Sequence, residues 1–557
     1  MSKKTNTSPW SIYFQPDAYN MSGEKLMGRQ AAGFSYVKGV AQEGFDSISF
    51  YTKDISDRKK VANLVQPLLK KKTDINWVSW NEPNKSEEYG GIFFPEPKIG
   101  IQSLFRSKFG HDSYSLVGIT HTTASEAVMD AVSDFLVKPI RPWDALICTS
   151  QCVKSTLNII LDNQKEFLVS ELESKKFNEP MLPVIPLGIN NDEFIYNEEL
   201  RINARKELNV DEEDIVLIFV GRLSFHAKSH HYPMFHALNE LAKEYEGIKK
   251  IHLVLTGWFG NDNVKKVFMD EHKLIAPYLN LHLGDGRDQS IKHKTLAAAD
   301  IFISLSDNIQ ETFGLTPLEA MSAGLPVIVS DWNGYRETVR DKIDGFMIPT
   351  RTIEKGNGED IINNYRKGVY TYDYYIGFLS QVISVDIQKL ILGLRELINN
   401  KNLRIQMGKK GQERARNSFS WTSVLTQYSN LKDELNNIRL SDSNKNNRHS
   451  TQHGHNIDPF TLFESYPTNT LNKKNKINKE VNNINLSLDK IMNLQSVDFI
   501  FKGDYRLFDK DNIMLVWDNI GQDYISIDDL QEIVKLDIKN VLRIVMWLHK
   551  FGLINIR

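Results

Sequence analysis

The stretch Glu311-Thr-Phe-Gly-Leu-Thr-Pro-Leu-Glu319-Ala-Met-Ser-Ala-Gly324 joins a glycine loop to the signals of a helix start. Thr316 is a typical N-cap residue, and Pro317 suits the first position of a helix. Glu319 stands at the spacing of a capping box with Thr316, and Gly324 is typical of a helix end. The stretch therefore predicts a helix that Thr316 caps and Gly324 terminates.

Two apolar runs flank this stretch. Asp300–Ser306 precedes it and Leu325–Ser330 follows it, and both have the composition of buried strands. A strand–helix–strand unit of this kind builds a parallel sheet, and open α/β sheets bind ligands at the carboxyl ends of their strands. The loop around Gly314 lies at such an end and aims backbone N–H groups and the positive end of the helix outward. We therefore predict an anionic ligand at this loop.

Glu311 and Glu319 place two carboxylates beside the predicted ligand. A carboxylate repels a diphosphate, so we expect both to accept hydrogen bonds from hydroxyls, such as those of a sugar and a ribose. The alternative is that Glu319 only caps its helix and that Glu311 is a solvated loop charge. The spacing alone does not decide between the two.

Two further stretches carry candidate residues in the first part of the chain. Gly28 and Gly33 follow the predicted strand Ser11–Phe14 in a loop that does not match the dinucleotide-binding fingerprint. A tight turn and a phosphate or sugar contact both fit this loop. His121 ends the apolar strand that begins at Ser115, where a histidine faces a cleft or is a satisfied structural residue.

Arg222 and Lys228 follow the apolar strand Asp214–Gly221. A planar guanidinium and a point-charge ammonium together suit a diphosphate, whereas the alternative is two surface cations. The Glu311 loop belongs to the same predicted sheet, which favours the phosphate site. Three histidines of this loop have no evident carboxylate or cysteine partner, and we predict solvated side chains rather than metal ligands: His226, His230 and His231.

The Glu311–Gly324 stretch, followed by Asp331-Trp-Asn-Gly-Tyr-Arg-Glu337 and Asp344-Gly-Phe-Met-Ile348, resembles the nucleotide-sugar signature of retaining family-4 (group 1) glycosyltransferases. The similarity covers most of residues 10–438. It implies an α/β protein with the GT-B fold, in which two Rossmann-like domains face each other. It also implies transfer of a hexose from a nucleotide-diphosphate sugar, the co-substrate, to an acceptor that the sequence does not identify.

The resemblance also assigns roles to the candidate residues. It implies that Glu319 holds ribose hydroxyls, that Glu311 holds the donor sugar and that His121 orients this sugar near the attacked carbon. Gly33 matches the glycine loop of the first domain. No metal or other cofactor is predicted, because fixed cations and the helix dipole replace a metal. The groups that the resemblance places at the departing diphosphate are Arg222, Lys228 and the backbone of Gly314, Leu315 and Thr316.

The domain prediction divides the chain at changes of composition. Residues 353–378 are a local insertion rich in Gly, Asn and Tyr, and residues 441–485 have too few apolar side chains for a core. After this linker the pattern Tyr524–Ile527, Ile538–Phe551 and Gly552–Arg557 resembles a small winged-helix module. The predicted parts are an N-terminal Rossmann-like domain (1–190), a nucleotide-sugar-binding domain whose last helix crosses back to the first (191–440), a flexible linker (441–485) and the mostly helical module (486–557).

The composition limits which binding partners and which cellular compartment are expected. The chain has 557 residues, so we expect several domains. Its net charge of −2 predicts no overall attraction to nucleic acid. The module carries slightly more acidic than basic side chains, which favours a protein partner or self-association over nucleic acid. A polar start, no membrane-length apolar run and only two cysteines predict a cytoplasmic protein. Peripheral membrane contact stays open.

Two other functions fit parts of the pattern. A phosphorylase or disaccharide synthase would use the same scaffold and the same donor residues. A nucleotide-sugar-responsive regulator would use the winged-helix module to bind DNA. The intact donor motifs favour an enzyme, and the acidic module disfavours DNA binding.

Overall fold

The chain forms two compact units, Met1–Ser450 and Thr451–Arg557. Parts of the linker predicted at 441–485 lie outside the described residues, namely 442–452, 455–456 and 482–485. The computed structural model describes residues 6–20, 28–441, 453–454, 457–481, 486–502 and 506–557.

The first domain of the larger unit is built on a six-stranded parallel sheet with the order β3-β2-β1-β4-β5-β6. This is the strand order of a doubly wound Rossmann-like fold. The strands are β1 Thr7–Tyr13, β2 Ser47–Thr52, β3 Asp74–Ser79, β4 Gly91–Phe94, β5 Ser115–Ile119 and β6 Ala145–Ile147. The helices are α1 Pro16–Tyr19, α2 Gly28–Gln42, α3 Ile55–Val65, α4 Ile99–Arg106, α5 Glu126–Ser133 and α6 Gln151–Leu172, with 3-10 turns at Gln66–Leu68, Pro83–Tyr89 and Asp134–Leu136.

The second domain repeats this design with the order β12-β11-β10-β7-β8-β9, again all parallel. The strands are β7 Ile215–Val220, β8 Ile251–Gly257, β9 Asn280–Asp285, β10 Ile301–Ser304, β11 Val327–Ser330 and β12 Gly345–Ile348. The helices are α7 Glu198–Glu207, α8 Tyr232–Glu244, α9 Asp262–Ile275, α10 Gln289–Ala298, α11 Leu315–Ser322 and α12 Tyr335–Thr338, preceded by a 3-10 turn at Asn191–Phe194. β7, β10 and β11 are buried along their whole length, as continuous apolar runs predict. The predicted α/β architecture of two Rossmann-like domains is confirmed.

The predicted insertion at 353–378 contains two helices, α13 Glu359–Arg366 and α14 Tyr372–Ser380. Thr371 caps α14 by accepting a hydrogen bond from the N–H of Tyr374. A short antiparallel pair, β13 Thr350–Arg351 and β14 Ser384–Val385, brackets the two helices. The insertion is therefore an ordered helical element that begins and ends beside the second sheet.

Three helices complete the larger unit: α15 Ile387–Asn399, α16 Lys401–Ser418 and α17 Trp421–Ser441. The start of α17 packs on the first domain, because the indole Nε1 of Trp421 donates to Ser35 Oγ at 2.9 Å. Tyr428 of the same helix lies 5.5 Å from the ring of the buried Trp10. The helix that follows the second domain thus contributes to the core of the first.

The smaller unit has its own core around an antiparallel sheet with the order β16-β15-β17. Its strands are β15 Lys476–Lys479, β16 Ile525–Ser526 and β17 Ile554–Ile556. Its helices are α18 Pro459–Leu462, α19 Leu488–Met492, α20 Lys510–Asp518, α21 Ile527–Val534 and α22 Ile538–Lys550, with a 3-10 turn at Asp498–Phe501.

The position of β15 corrects the predicted linker. This central strand lies inside the polar region 441–485, and its single apolar residue, Ile477, is fully buried. Hydrogen bonds to strands on both sides hold it, which composition alone does not reveal. The winged-helix assignment stays a prediction. Among the helices of the described ranges, none has the length and apolarity that a bilayer span requires.

Candidate active site

The candidate site lies where three loops meet at the carboxyl ends of β5, β7 and β10. β7 and β10 are neighbours in the second sheet, at the point where the strand order changes direction. The hydroxyl of Thr312, after β10, donates a hydrogen bond to the backbone carbonyl of His121, after β5. The two domains therefore touch directly beside the residues that the sequence analysis singled out.

The start of α11 differs from the prediction. The helix begins at Leu315 with Gly314 as its N-cap residue, and no side chain in the described part of the chain caps it. Thr316 therefore stands inside the first turn, and the predicted capping box of Thr316 and Glu319 is wrong. Gly314 adopts a φ of 97°, and a Cβ there would lie 2.3 Å from the ring of Tyr335. Only glycine fits this left-handed turn, and its position moves the helix start.

Glu319 pairs with a lysine instead. Its Oε1 lies 2.9 Å from Nζ of Lys292 on α10, and the two side chains are 17% and 10% exposed. The Lys292 ammonium also lies 5.4 Å from the ring centre of Phe194. The sequence analysis missed Lys292, because the residue carries no local signal and meets Glu319 only through the sheet.

Two oxygen atoms at the start of α11 are buried without a hydrogen-bond partner among the described residues: Oε2 of Glu319 and Oγ1 of Thr316. A buried polar atom without a partner is costly unless a ligand or water satisfies it. The first five residues of α11 therefore present an unpaired hydroxyl and an unpaired carboxylate oxygen near the loop predicted to bind a ligand.

Glu311 is neither solvated nor isolated. Its Oε2 contacts Nζ of Lys228, and Oε1 accepts hydrogen bonds from the backbone N–H groups of Thr312 and Phe313 at 3.2 and 3.3 Å. Burial by itself would raise the pKa of Glu311, but the charge and hydrogen bond of Lys228 lower it below the ordinary value. Glu311 is thus held as a carboxylate, and the predicted alternative of a free loop charge is wrong.

Lys228 is held in the charged form by the same contact. Burial would lower its pKa, but the negative charge of Glu311 outweighs this effect and raises it. A hydrogen bond within the loop stabilises the part that carries Lys228: Arg222 Nη2 donates to the backbone carbonyl of Ala227 at 3.2 Å. Both oxygens of Asp307 accept from the N–H of His230 at 3.1 and 3.2 Å, tying this loop to the one after β10.

His121 is neutral in the folded protein. Burial is the main cause that lowers its pKa to about 4. Its Nε2 lies 3.1 Å from the carbonyl oxygen of Pro95, so Nε2 carries the proton and donates, and Nδ1 is left as an acceptor. A neutral imidazole at the end of β5 can position a hydroxyl-bearing ligand without adding charge.

Gly33 is not in a loop, contrary to the prediction. It lies inside α2, where a Cβ would come within 2.2 Å of the carbonyl oxygen of Ala18. Its lack of a side chain lets α2 pack closely on α1. Residues 21–27, which include the first part of the predicted glycine loop, lie outside the described residues.

The prediction of solvated histidines is wrong for His231. This side chain is 1% exposed, and its Nε2 lies 2.6 Å from a carboxylate oxygen of Glu271. The carboxylate comes from α9, far away in sequence, which explains why the pattern did not show it. Within the described ranges, no group of three His, Cys, Asp or Glu side chains has the arrangement of a metal site.

Comparison with known proteins finds a family match within the second domain. Residues 201–358 match the family Glycosyl transferases group 1. An uncharacterized glycosyltransferase of Methanocaldococcus jannaschii is 28% identical over 211 residues, which cover 35% of this chain and 51% of that protein. The lipopolysaccharide 1,2-N-acetylglucosaminetransferase of Salmonella typhimurium is 27% identical over 217 residues, covering 37% of this chain and 54% of that protein. The chain thus spans about half the length of these curated relatives.

Solved structures with similar folds cover more of the chain at lower identity. Anabaena Alr3699/HepE in complex with UDP is 15% identical with a TM-score of 0.48, covering 76% of this chain and 100% of that one. Sucrose-phosphate synthase from Thermosynechococcus elongatus is 15% identical with a TM-score of 0.45, covering 77% of this chain and 100% of that one.

Proposed function

We propose that this chain is a retaining glycosyltransferase, because residues 201–358 match the family Glycosyl transferases group 1. It transfers a hexose from a nucleotide-diphosphate sugar to an acceptor. The observation that supports this most is the meeting of three loops, in which Glu311 contacts Lys228 while Thr312 bonds to the backbone of His121. One donor molecule can reach all three loops at once.

The diphosphate binds at the start of α11 in this proposal. The backbone N–H groups of Leu315 and Thr316 belong to the first turn, where they have no partner within the helix. Arg222 and Lys228 supply fixed positive charge from the loop after β7. These groups stabilise the negative charge that develops on the leaving nucleoside diphosphate, so the reaction needs no metal ion.

The two glutamates bind hydroxyl groups of the donor. The unpaired Oε2 of Glu319 accepts hydrogen bonds from the ribose, while Oε1 stays with Lys292. Glu311 accepts from a hydroxyl of the hexose. His121 orients the hexose from the opposite side, and the leaving phosphate takes the proton of the acceptor hydroxyl on the same face, which retains the anomeric configuration.

A panel of UDP-, GDP-, ADP- and CDP-sugars tests the proposal. The purified chain is incubated with each donor, and release of nucleoside diphosphate and binding of donor are measured in parallel. We expect one donor class to be both bound and consumed. Arg222→Ala should weaken donor binding and slow turnover more than about tenfold, and the control Lys266→Ala, an exposed lysine on α9, should change neither. Binding of a donor without any turnover would contradict the proposal and favour a nucleotide-sugar sensor.

A further inference from the structure

The helical segment Glu359–Ser380, made of α13 and α14, bridges the two domains above the candidate site. On the first domain, the hydroxyl of Tyr365 accepts the backbone N–H of Glu126 at 3.0 Å. The neighbouring Arg366 pairs with Asp130 at 2.9 Å and with Glu126 at 3.2 Å. The segment starts one residue after the part of the chain that matches the family.

The same segment packs on the second domain. Asn308 Nδ2, in the loop after β10, donates to the carbonyls of His226 at 2.8 Å and Ile376 at 3.4 Å. Ile376 is fully buried between Ala124 of the first domain and Ala227 of the second. α14 therefore contacts all three loops that carry the candidate donor-binding residues.

Tyr372 and Asp373 are the first two residues of α14, at the end of the helix near these loops. The hydroxyl of Tyr372 lies 3.5 Å from Oγ1 of Thr122, the residue after His121. Burial raises the pKa of Tyr372 to about 12, so it stays a hydroxyl that can donate and accept. Asp373 is the next residue in the first turn of α14, and it is exposed.

The position of these two residues fits an acceptor rather than a donor. In the proposed function, the groups that hold the donor lie on the second domain, at the ends of β7 and β10 and in the first turn of α11. The hexose then faces the loop after β5, beside which α14 begins. Tyr372 reaches the first domain at this point, through Thr122.

We propose that Tyr372 and Asp373 form part of the acceptor site, and that the acceptor is a carbohydrate. This inference rests on the proposed glycosyltransferase function. A phenol hydroxyl, a carboxylate and the hydroxyl of Thr122 offer several hydrogen-bonding groups within a small region, and a hydroxyl-rich acceptor satisfies them together. An apolar acceptor chain would cover the exposed Asp373 carboxylate without offering it a hydrogen bond, which is unfavourable.

Steady-state kinetics of Tyr372→Phe and Asp373→Asn test the inference. The donor is the one consumed in the donor panel, and the acceptor probes are D-glucose, methyl α- and β-glucosides, maltose and, as an apolar contrast, undecaprenyl phosphate in detergent. The wild type should transfer to at least one carbohydrate. Each variant should raise the KM for that acceptor about tenfold, the effect of one lost hydrogen bond, while donor KM and donor hydrolysis stay within about twofold.

Two control variants separate an acceptor contact from a structural role. Tyr374→Phe changes an exposed ring of the same helix and should behave as the wild type. Tyr365→Phe removes a hydrogen bond between the domains and should lower kcat for hydrolysis and transfer alike, without a selective effect on acceptor KM.

Three results would overturn the inference: unchanged acceptor KM in both test variants, a parallel loss of donor affinity, or wild-type transfer to undecaprenyl phosphate alone. If Tyr372→Phe reproduces the Tyr365→Phe pattern, the segment only holds the domains together. A wild-type chain that neither binds nor consumes any nucleotide sugar refutes the proposed function itself, and the inference falls with it.

Discussion

Single and double substitutions of Lys292 and Glu319 test how α11 is held against α10. Breaking a buried ion pair by removing one partner costs about 3–5 kcal/mol. These side chains are 10% and 17% exposed and Nζ lies 2.9 Å from Oε1, so solvent should reduce the cost somewhat below that of a fully buried pair. Lys292→Met and Glu319→Gln should each lower the free energy of unfolding by about 2–4 kcal/mol.

The double variant should cost less than the sum of the single variants, because it leaves no unpaired charge. We expect a coupling free energy of about 2–3 kcal/mol between Lys292 and Glu319. The contact of Lys292 with the Phe194 ring is lost whether or not Glu319 is present, so it does not enter this coupling.

A second cycle, with Thr316→Val and Glu319→Gln, provides the contrast. A capping box would give Thr316 and Glu319 a shared contribution of about 1 kcal/mol. In the structure Thr316 Oγ1 has no hydrogen-bond partner among the described residues, so this coupling should be close to zero.

Equilibrium unfolding in urea measures both cycles, provided that the dependence on denaturant stays the same in all variants. If Glu319 is coupled to Thr316 by about 1 kcal/mol and not to Lys292, the capping box is the correct assignment and the ion pair is refuted.

Four further predictions concern ligand binding, metal, pH and the smaller unit. Arg222→Ala and Lys228→Ala should each weaken donor binding more than about tenfold by titration calorimetry, because each removes a charge-assisted contact to the diphosphate. Turnover should survive EDTA followed by gel filtration, and dependence on added Mg²⁺ or Mn²⁺ would contradict the proposed use of fixed cations. Burial lowers the pKa of His121 to about 4 from 6.5, so the unfolded chain binds the proton more readily. The stability that depends on neutral His121 is present above pH 6.5 and lost as pH falls toward 4, and the melting temperature of His121→Asn should depend less on pH over this window. A chain ending at residue 450 should bind donor as the full chain does, since the candidate donor residues all lie in the larger unit; loss of donor affinity would show that the smaller unit takes part.

Elements with strong local signals could be predicted from the sequence. The strands β7, β10 and β11 follow from apolar runs, whose burial is a consequence of their place inside a parallel sheet. The sequence predicts only that Glu311 and Lys228 lie near each other, because both follow strands of one sheet. Sequence alone does not show that they form an ion pair.

The misassigned residues depend on contacts that are remote in sequence. Glu319 has Thr316 as its local partner in a capping-box rule, but the left-handed turn at Gly314 starts the helix earlier and frees Glu319 for Lys292. The glycines after the strand Ser11–Phe14 predict a loop at Gly33, whereas the absence of a side chain there permits the close approach of α2 to Ala18. Local rules fail at these positions because tertiary packing determines the outcome.

The two ion pairs also determine how the site can attract a diphosphate. Lys228 pairs with Glu311, and Lys292 pairs with Glu319. Among these four side chains and Arg222, only the charge of Arg222 is not balanced by a carboxylate of the same set. The net positive charge of these side chains is therefore too small to hold the donor by long-range attraction alone. An ammonium has three donor hydrogens, so Lys228 can keep Glu311 and still donate to a phosphate. Affinity must then depend on directed donors, namely Lys228, Arg222 and the N–H groups of the first turn of α11, which the ion pairs hold in place before the donor arrives.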